Sequence, residues 1–186
     1  TDSPKIFKIG KKYGAEAFFL RPKSLSADTT GKIPVVRHAL IKSEEYYKKK
    51  FDYIVDLDVS SPLRLSLDIR KAFEKFFITK SEILISVNKS RRNPYFNVIE
   101  KTNSIFKPVK KLATKIVRRQ DAPKVWDVNA SIYIWKREIL LRSDNLFKHK
   151  NSIYEMPEER SFDLDSSFDL KIIKFLLKKN ISKYTY

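Results

Sequence analysis

Ile83-Leu84-Ile85-Ser86-Val87 does more than any other stretch to limit the folds open to this chain. A strand whose apolar residues run almost without a break needs cover on both faces, and helices supply it when parallel strands are joined by crossovers. The neighbouring segments meet that need. From about Ile33 the pattern is helical, with Val36, Leu40, Tyr46 and Tyr47 as inward positions, and Tyr53 to Leu57 reads as a strand. Helix signals resume at Ser66, with Leu67, Ile69, Ala72, Phe73 and Phe76 apolar. Such alternation predicts an α/β sheet with mostly parallel strands. Ligands of these sheets sit beyond the carboxyl ends of the strands, and the loop Asp58 to Arg64 occupies that position.

On either side of this block the pattern is less regular. Ser3 can cap a helix whose first turn holds Pro4, with Ile6, Phe7 and Ile9 as its apolar stripe and Gly14 at its end. No strand precedes that helix, so the chain reads as one that begins mid-fold. Glu16 to Leu20 is expected as a short strand, followed by a loop from Arg21-Pro22 to Gly31. Between Lys89 and Pro123 no clean helix period appears, prolines fall at 94, 108 and 123, and basic residues dominate. An excursion this long within one domain tends to be functional. It is expected to project as an arm, with Asn93 to Glu100 as one strand and Lys115-Ile116-Val117 as another. Val125 to Trp135 returns to strand.

At 186 residues the chain suits a single domain, residues 1–186, with a sizeable core. No apolar run is long enough to span a bilayer and no signal peptide opens the sequence, so no membrane partner is expected. The absence of cysteine excludes disulfides and thiolate zinc sites, and a cytoplasmic location is the simplest expectation. The net charge of +17 predicts attraction to phosphates. The basic residues nevertheless fall in scattered short clusters, and the aromatics follow strand and helix patterns instead of interleaving with a basic stripe, which speaks against a nucleic-acid-binding module. His38 lies in a helical stretch and His149 in a polar loop, neither with a sequence partner for a nucleophilic triad.

Chemistry concentrates near the C-terminus, in Pro157-Glu158-Glu159-Arg160-Ser161-Phe162-Asp163-Leu164-Asp165-Ser166-Ser167-Phe168-Asp169. On an extended backbone Asp163 and Asp165 project to the same side. Two hard oxygen ligands suit Mg²⁺, which takes one or two carboxylates plus waters and substrate phosphates. Ser166-x-x-Asp169 has the form of a capping box, and Phe168, Leu170, Ile172, Ile173, Leu176 and Leu177 follow at near-helical spacing. The plainer alternative makes both aspartates solvated turn residues that start this helix.

Four separated stretches, in order, resemble one family: Phe19-Leu20-Arg21-Pro22; Leu57-Asp58-Val59-Ser60-Ser61-Pro62-Leu63-Arg64; Arg118-Arg119-Gln120-Asp121-Ala122-Pro123 with Asn129-Ala130-Ser131-Ile132-Tyr133; and Met156-Pro157-Glu158-Glu159-Arg160-Ser161-Phe162-Asp163-Leu164-Asp165. The chain is similar over essentially its whole length to bacterial acylneuraminate cytidylyltransferases, the synthetases of CMP-sialic acid and of CMP-activated legionaminic and other nonulosonic acids. The resemblance implies a homodimeric, cytoplasmic, Mg²⁺-dependent enzyme of doubly wound α/β architecture, like the nucleotide-diphospho-sugar transferases, with an arm at about 89–123 for dimerisation. It implies CTP and a nonulosonic acid as substrates, and CMP-sugar and pyrophosphate as products. By position, Asp163 and Asp165 match the metal pair and Arg21 an arginine of the nucleotide site. Asn129, Tyr133 and Phe147 match the sugar pocket, and Arg119 a carboxylate-binding arginine of the arm.

The sequence departs from that family in two respects. The family's Gly-Gly-Ser-Lys phosphate loop has no counterpart, since Gly10, Gly14 and Gly31 stand in other settings. The first β-α unit is therefore expected to be missing, and the chain to have little or no synthetase activity or to serve as a non-catalytic dimeric remnant. Asp58 also replaces a substrate-contacting glutamine, and Phe96 stands where some sialic acid enzymes have lysine, which favours a legionaminic-type sugar.

Overall fold

The computed structural model describes residues 1–114 and 116–184, with side chains through 179. Its elements run α1 (Pro4–Lys12), α2 (Lys32–Tyr47), β1 (Tyr53–Leu57), α3 (Ser66–Ile78), β2 (Ile83–Lys89), β3 (Ile99–Thr102), β4 (Ile105–Pro108), β5 (Trp126–Lys136), α4 (Arg137–Arg142), β6 (Asn151–Glu155) and α5 (Ser167–Tyr184). The architecture is mixed α/β, with one four-stranded sheet in the order β1-β5-β2-β6 and a separate pair, β3-β4.

Backbone hydrogen bonds fix the strand directions. The Asp58 N–H donates to Ser131 O and the Arg137 N–H to Asp52 O, so β1 and β5 run oppositely. Ser90 N–H to Val125 O and Lys136 N–H to Glu82 O set β2 against β5 in the same way. Met156 N–H to Val87 O and Glu82 N–H to Lys150 O align β6 with β2. Three strands thus share a direction, as the sequence predicted, and β5 is inserted against them. Every side chain from Ile83 to Val87 is buried, as a strand covered on both faces requires.

The chain divides into two compact units. The first comprises Thr1–Asp56, Phe73–Leu84 and Tyr133–Ser152. Its core includes Leu40, Phe76, Ile83, Leu84, Ile134, Trp135, Ile139 and Leu140. Arg37 of α2 donates to the carbonyls of Leu140 and Ser143, satisfying acceptors at the end of α4. The second comprises Leu57–Ala72, Ile85–Ile132 and Ile153–Tyr186, with Leu63, Ala72, Ile85, Val87, Ile132, Met156 and Ile173 buried.

Local chemistry explains where helices begin. Ser3 Oγ accepts from the Ile6 N–H, Pro4 opens α1, and Gly14 follows with φ +88°, a conformation that costs glycine little. At α5 the capping box closes in both directions: Ser166 N–H donates to Asp169 Oδ2 at 2.7 Å, and Asp169 N–H to Ser166 Oγ at 3.2 Å. The buried stripe of α5 is narrower than its sequence suggests. Ile173 is buried, while Phe168, Leu170 and Leu177 are exposed.

Two segments depart from the sequence reading. Residues 16–20 form no strand. Their aromatics pack as side chains instead: Phe18 stacks on Tyr46 at 4.2 Å between centroids, and Phe19 meets the edge of His38. Residues 93–98 turn instead of extending, because Asn side chains capture the local backbone. Asn97 Oδ1 accepts from Asn93 N–H at 2.7 Å and Asn93 Oδ1 from Tyr95 N–H at 2.9 Å. Extension begins only at Ile99, where β3 pairs antiparallel with β4 in the register Thr102↔Ile105. Asn103 makes the hairpin turn with φ 56°, a left-handed conformation that Asn tolerates. In the second expected arm strand, Ile116 and Val117 are irregular and Lys115 lies outside the described residues. The base of this excursion is tied by Asn93 Nδ2 to Pro123 O at 2.9 Å.

Among the described residues no helix is long and apolar enough to cross a membrane.

Candidate functional site

In the second unit, two loops meet at the carboxyl end of β1. The first begins at Asp58, whose Oδ1 accepts from the N–H and hydroxyl of Ser60 at 3.0 and 2.9 Å, a side-chain turn that bends the chain out of the strand. Arg64 braces the same loop, donating to the carbonyls of Asp58 at 3.0 Å and Ser131 at 2.7 Å. The second loop carries the paired acids and is laid against the first: the Leu164 N–H donates to Ser60 O at 2.8 Å, and Ser61 Oγ donates to Asp163 Oδ1 at 2.9 Å.

The two acids are not equivalent. Asp163 is half-buried and Asp165 exposed. Burial pushes the Asp163 carboxyl above its ordinary value; the Ser61 hydrogen bond opposes that shift, and the charges of Asp165, Asp58 and Asp169 add to it. Carboxylates that crowd Asp163 and add to its proton affinity make a setting that a cation would relieve. The donors are all hard oxygens, which fits Mg²⁺. Among the described residues no set of three or more His, Cys, Asp or Glu side chains is arranged to hold a metal alone. Mg²⁺ does not ask for one, because it keeps waters and draws on substrate phosphates.

Ser61, Arg64 and Arg160 were visible only as parts of motifs, and Asp68 and Tyr154 carried no sequence signal of a role here. Asp68 is fully buried in the first turn of α3, where Arg160 reaches it with two hydrogen bonds at 2.9 and 2.7 Å.

Asn129 is buried, and its amide is engaged throughout: Oδ1 accepts from Ser86 Oγ at 2.6 Å, and Nδ2 donates to Ser161 Oγ at 3.1 Å. Its place here is a tie between β5 and the acid-bearing loop. Arg119 lines a separate cavity of 640 Å³ with Lys89, Arg92, Lys124, Trp126 and Glu155, and donates to the carbonyl of Arg91.

Three of the expected residues belong to the first unit. Arg21 pairs with Asp2 at 2.6 Å and donates to Ser26 Oγ at 3.1 Å. Tyr133 is buried under the ammonium of Lys32, 4.4 Å from its ring centroid, and that ammonium also pairs with Asp56 at 3.2 Å. Phe147 is 66% exposed.

His149 has partners, Ser143 Oγ at 2.7 Å from Nε2 and Glu82 Oε2 at 3.7 Å from Nδ1. The set resembles a triad without its chemistry. Ser143 is buried and its hydroxyl donates to Asn145 O at 2.9 Å, and 3.7 Å exceeds a hydrogen bond to the carboxylate.

No protein-family model matches the chain. Similar proteins are nevertheless known. Post-translational flagellin modification protein B of Campylobacter coli is 49% identical over 179 residues, covering 96% of this chain and 75% of that protein. The CMP-N,N'-diacetyllegionaminic acid synthase of Campylobacter jejuni is 48% identical over 183 residues, 98% of this chain and 77% of the other. A pseudaminic acid cytidylyltransferase of the same species is 28% identical over 184 residues, 97% of this chain and 77% of its own length.

Proposed function

The chain belongs to the nonulosonic acid cytidylyltransferase family, a family of nucleotidyltransferases, and from that premise we propose that it joins a nonulosonic acid to CTP. The anomeric hydroxyl oxygen bonds to the α-phosphorus, the α–β phosphoanhydride bond breaks, and pyrophosphate leaves with the electron pair while the hydroxyl proton passes to solvent. Positioning and electrostatics dominate transfers of this type. The observation that carries the reading is the convergence of Asp163, Asp165 and Asp58 beyond β1, with a hydroxyl donor from Ser61 holding Asp163 in place. Asp163 and Asp165 are the residues that would hold Mg²⁺. When bound, such an ion neutralises charge on the phosphates as pyrophosphate departs.

The remaining roles follow from chemistry and family position. Asp58, anchored by Ser60, faces the acceptor sugar, and Asn129 keeps the acid-bearing loop in register. Arg119 supplies a guanidinium suited to a sugar carboxylate. In the first unit Arg21 serves the nucleotide, and Tyr133 and Phe147 serve the sugar. The acceptor is a legionaminic-type acid. Asp58 in place of glutamine supports that reading, as does the higher identity to the legionaminic synthase than to the pseudaminic enzyme, 48% against 28%. Ile99, Ile105 and Phe106, exposed at 59%, 58% and 64% on the β3–β4 hairpin, support an arm through which two copies associate.

The test is pyrophosphate release from CTP with N,N'-diacetyllegionaminic acid as acceptor and N-acetylneuraminic acid as comparison. Magnesium-dependent release with preference for the former is expected. Asp163→Asn with Asp165→Asn is expected to lower kcat by about 100-fold or more, because a Lewis-acid ion contributes several kcal/mol. Undiminished release by that double variant, or in EDTA, refutes the reading.

A further inference from the structure

One buried carboxylate joins the two loops of the candidate site. Asp68 accepts four hydrogen bonds and so has all its acceptor capacity in use. Oδ2 takes the Leu65 N–H at 3.0 Å and Arg160 Nε at 2.9 Å; Oδ1 takes Arg160 Nη2 at 2.7 Å and the Tyr154 hydroxyl at 3.1 Å. Leu65 directly follows the loop that carries Asp58 and Ser61. Arg160 stands three residues before Asp163 in the loop that carries the acids. Both loops therefore hang from the same group.

Between Arg160 and Asp163 the backbone has little freedom. Ser161 Oγ donates to Pro157 O at 2.9 Å and accepts from Asn129 Nδ2 at 3.1 Å, and Leu164 N–H is held by Ser60 O at 2.8 Å. Besides these ties, the hold of Asp68 on Arg160 gives the acid-bearing loop a further anchor three residues before Asp163. The side chains of Asp68 and Arg160 are 1% and 17% exposed. Desolvation offsets much of what such a pair contributes to stability, so the ion pair by itself is a weak source of it. What an apolar pair lacks is the planar two-point geometry that fixes the guanidinium in direction as well as distance.

We propose that Asp68 is a positioning residue for the cation site, clamping Arg160 so that Asp163 is set against Ser61 at the spacing a divalent ion needs. The inference rests on the reading of Asp163 as a ligand, and the experiment separates the two. The probe is Mn²⁺ alone, a hard, oxygen-preferring ion, titrated against the full chain and followed by electron paramagnetic resonance. Thermal unfolding without metal is the folding control.

Asp68→Leu combined with Arg160→Met replaces the ion pair by apolar side chains. This double variant leaves the Leu65 N–H and the Tyr154 hydroxyl without their acceptor, so it is expected to fold with a lowered unfolding midpoint. In its folded form it is expected to bind Mn²⁺ about tenfold more weakly, as loss of groups that orient ligands does. Tyr154→Phe, which removes one hydrogen bond to Asp68, is expected to weaken binding about threefold. A folded double variant that binds like the wild type overturns the clamp. Should the double variant not fold, Tyr154→Phe decides, and unchanged Mn²⁺ affinity there overturns the clamp. Asp163→Asn is expected to abolish binding. If it does not, the ligand reading itself fails and takes the clamp with it; if it does while the other variants bind normally, the clamp alone fails.

Discussion

Glu44 offers the most quantitative perturbation in the first unit. Its carboxylate accepts from Arg137 Nε at 2.6 Å and Nη2 at 2.9 Å, and from the Phe51 N–H at 3.1 Å. Chiefly through the Arg137 hydrogen bonds, the carboxyl is held down to about 2 from an ordinary 4.5. A depressed native value stabilises the fold above the unfolded value, and that contribution is lost as pH falls from 4.5 through about 2. Taken whole, the shift corresponds to about 3 kcal/mol at neutral pH. The side chains are 14% and 28% exposed, so solvent screening reduces the expectation to about 1–2 kcal/mol. Glu44→Gln keeps the volume and one acceptor while removing the charge. In urea denaturation at pH 7 the variant should be less stable by that amount, and by pH 3 roughly half or more of the gap should close. An equal gap at both pH values, or none at pH 7, refutes the linkage.

Two further perturbations test strain and assembly. Ala130 sits in β5 at φ 52°, a left-handed conformation that costs a non-glycine residue about 1–2 kcal/mol. After the added backbone entropy of glycine, Ala130→Gly should raise stability by up to about 1 kcal/mol in thermal or urea unfolding; destabilisation contradicts the strain argument. Phe106→Glu places a charge on the exposed face of the hairpin, and light scattering should show a shift from dimer toward monomer with the unfolding midpoint little changed. An unaltered mass distribution refutes the hairpin as a surface of self-association.

How far the sequence could be read depended on whether a feature was local. The caps of α1 and α5 were legible because each rests on neighbours within a few residues, and the two-sided burial of Ile83 to Val87 because a nearly unbroken apolar run announces it. Residues 16–20 misled because their β-prone aromatics pack on Tyr46 and His38, and strand propensity reports packing more than backbone preference. The turn at 93–98 was missed although Asn93 and Asn97 carry its signal, a pair of side chains able to compete for backbone amides. The hairpin had a comparable cue in Asn103-Ser104, set between Thr102 and the apolar Ile105-Phe106. At the site, spacing singled out Asp163 and Asp165, the end of a strand pointed to the loop from Asp58, and resemblance added their roles. The link from Asp68 to Arg160 spans 92 positions, and no pattern in one sequence announces a partner so distant.

The opposed direction of β5 has a consequence for tolerance to insertions. Because β5 runs against its neighbours, its opening residues, not its closing ones, lie at the edge where β1 and β2 end. The register of Asn129 and Ser131 is therefore inherited from whatever precedes Trp126. A slip of a single residue there would turn both side chains to the opposite face. The tie from Asn93 to Pro123 stands guard over that register, so added residues beyond it, out toward Asn103, should pass unnoticed by the sheet, while one added between Pro123 and Asn129 should not.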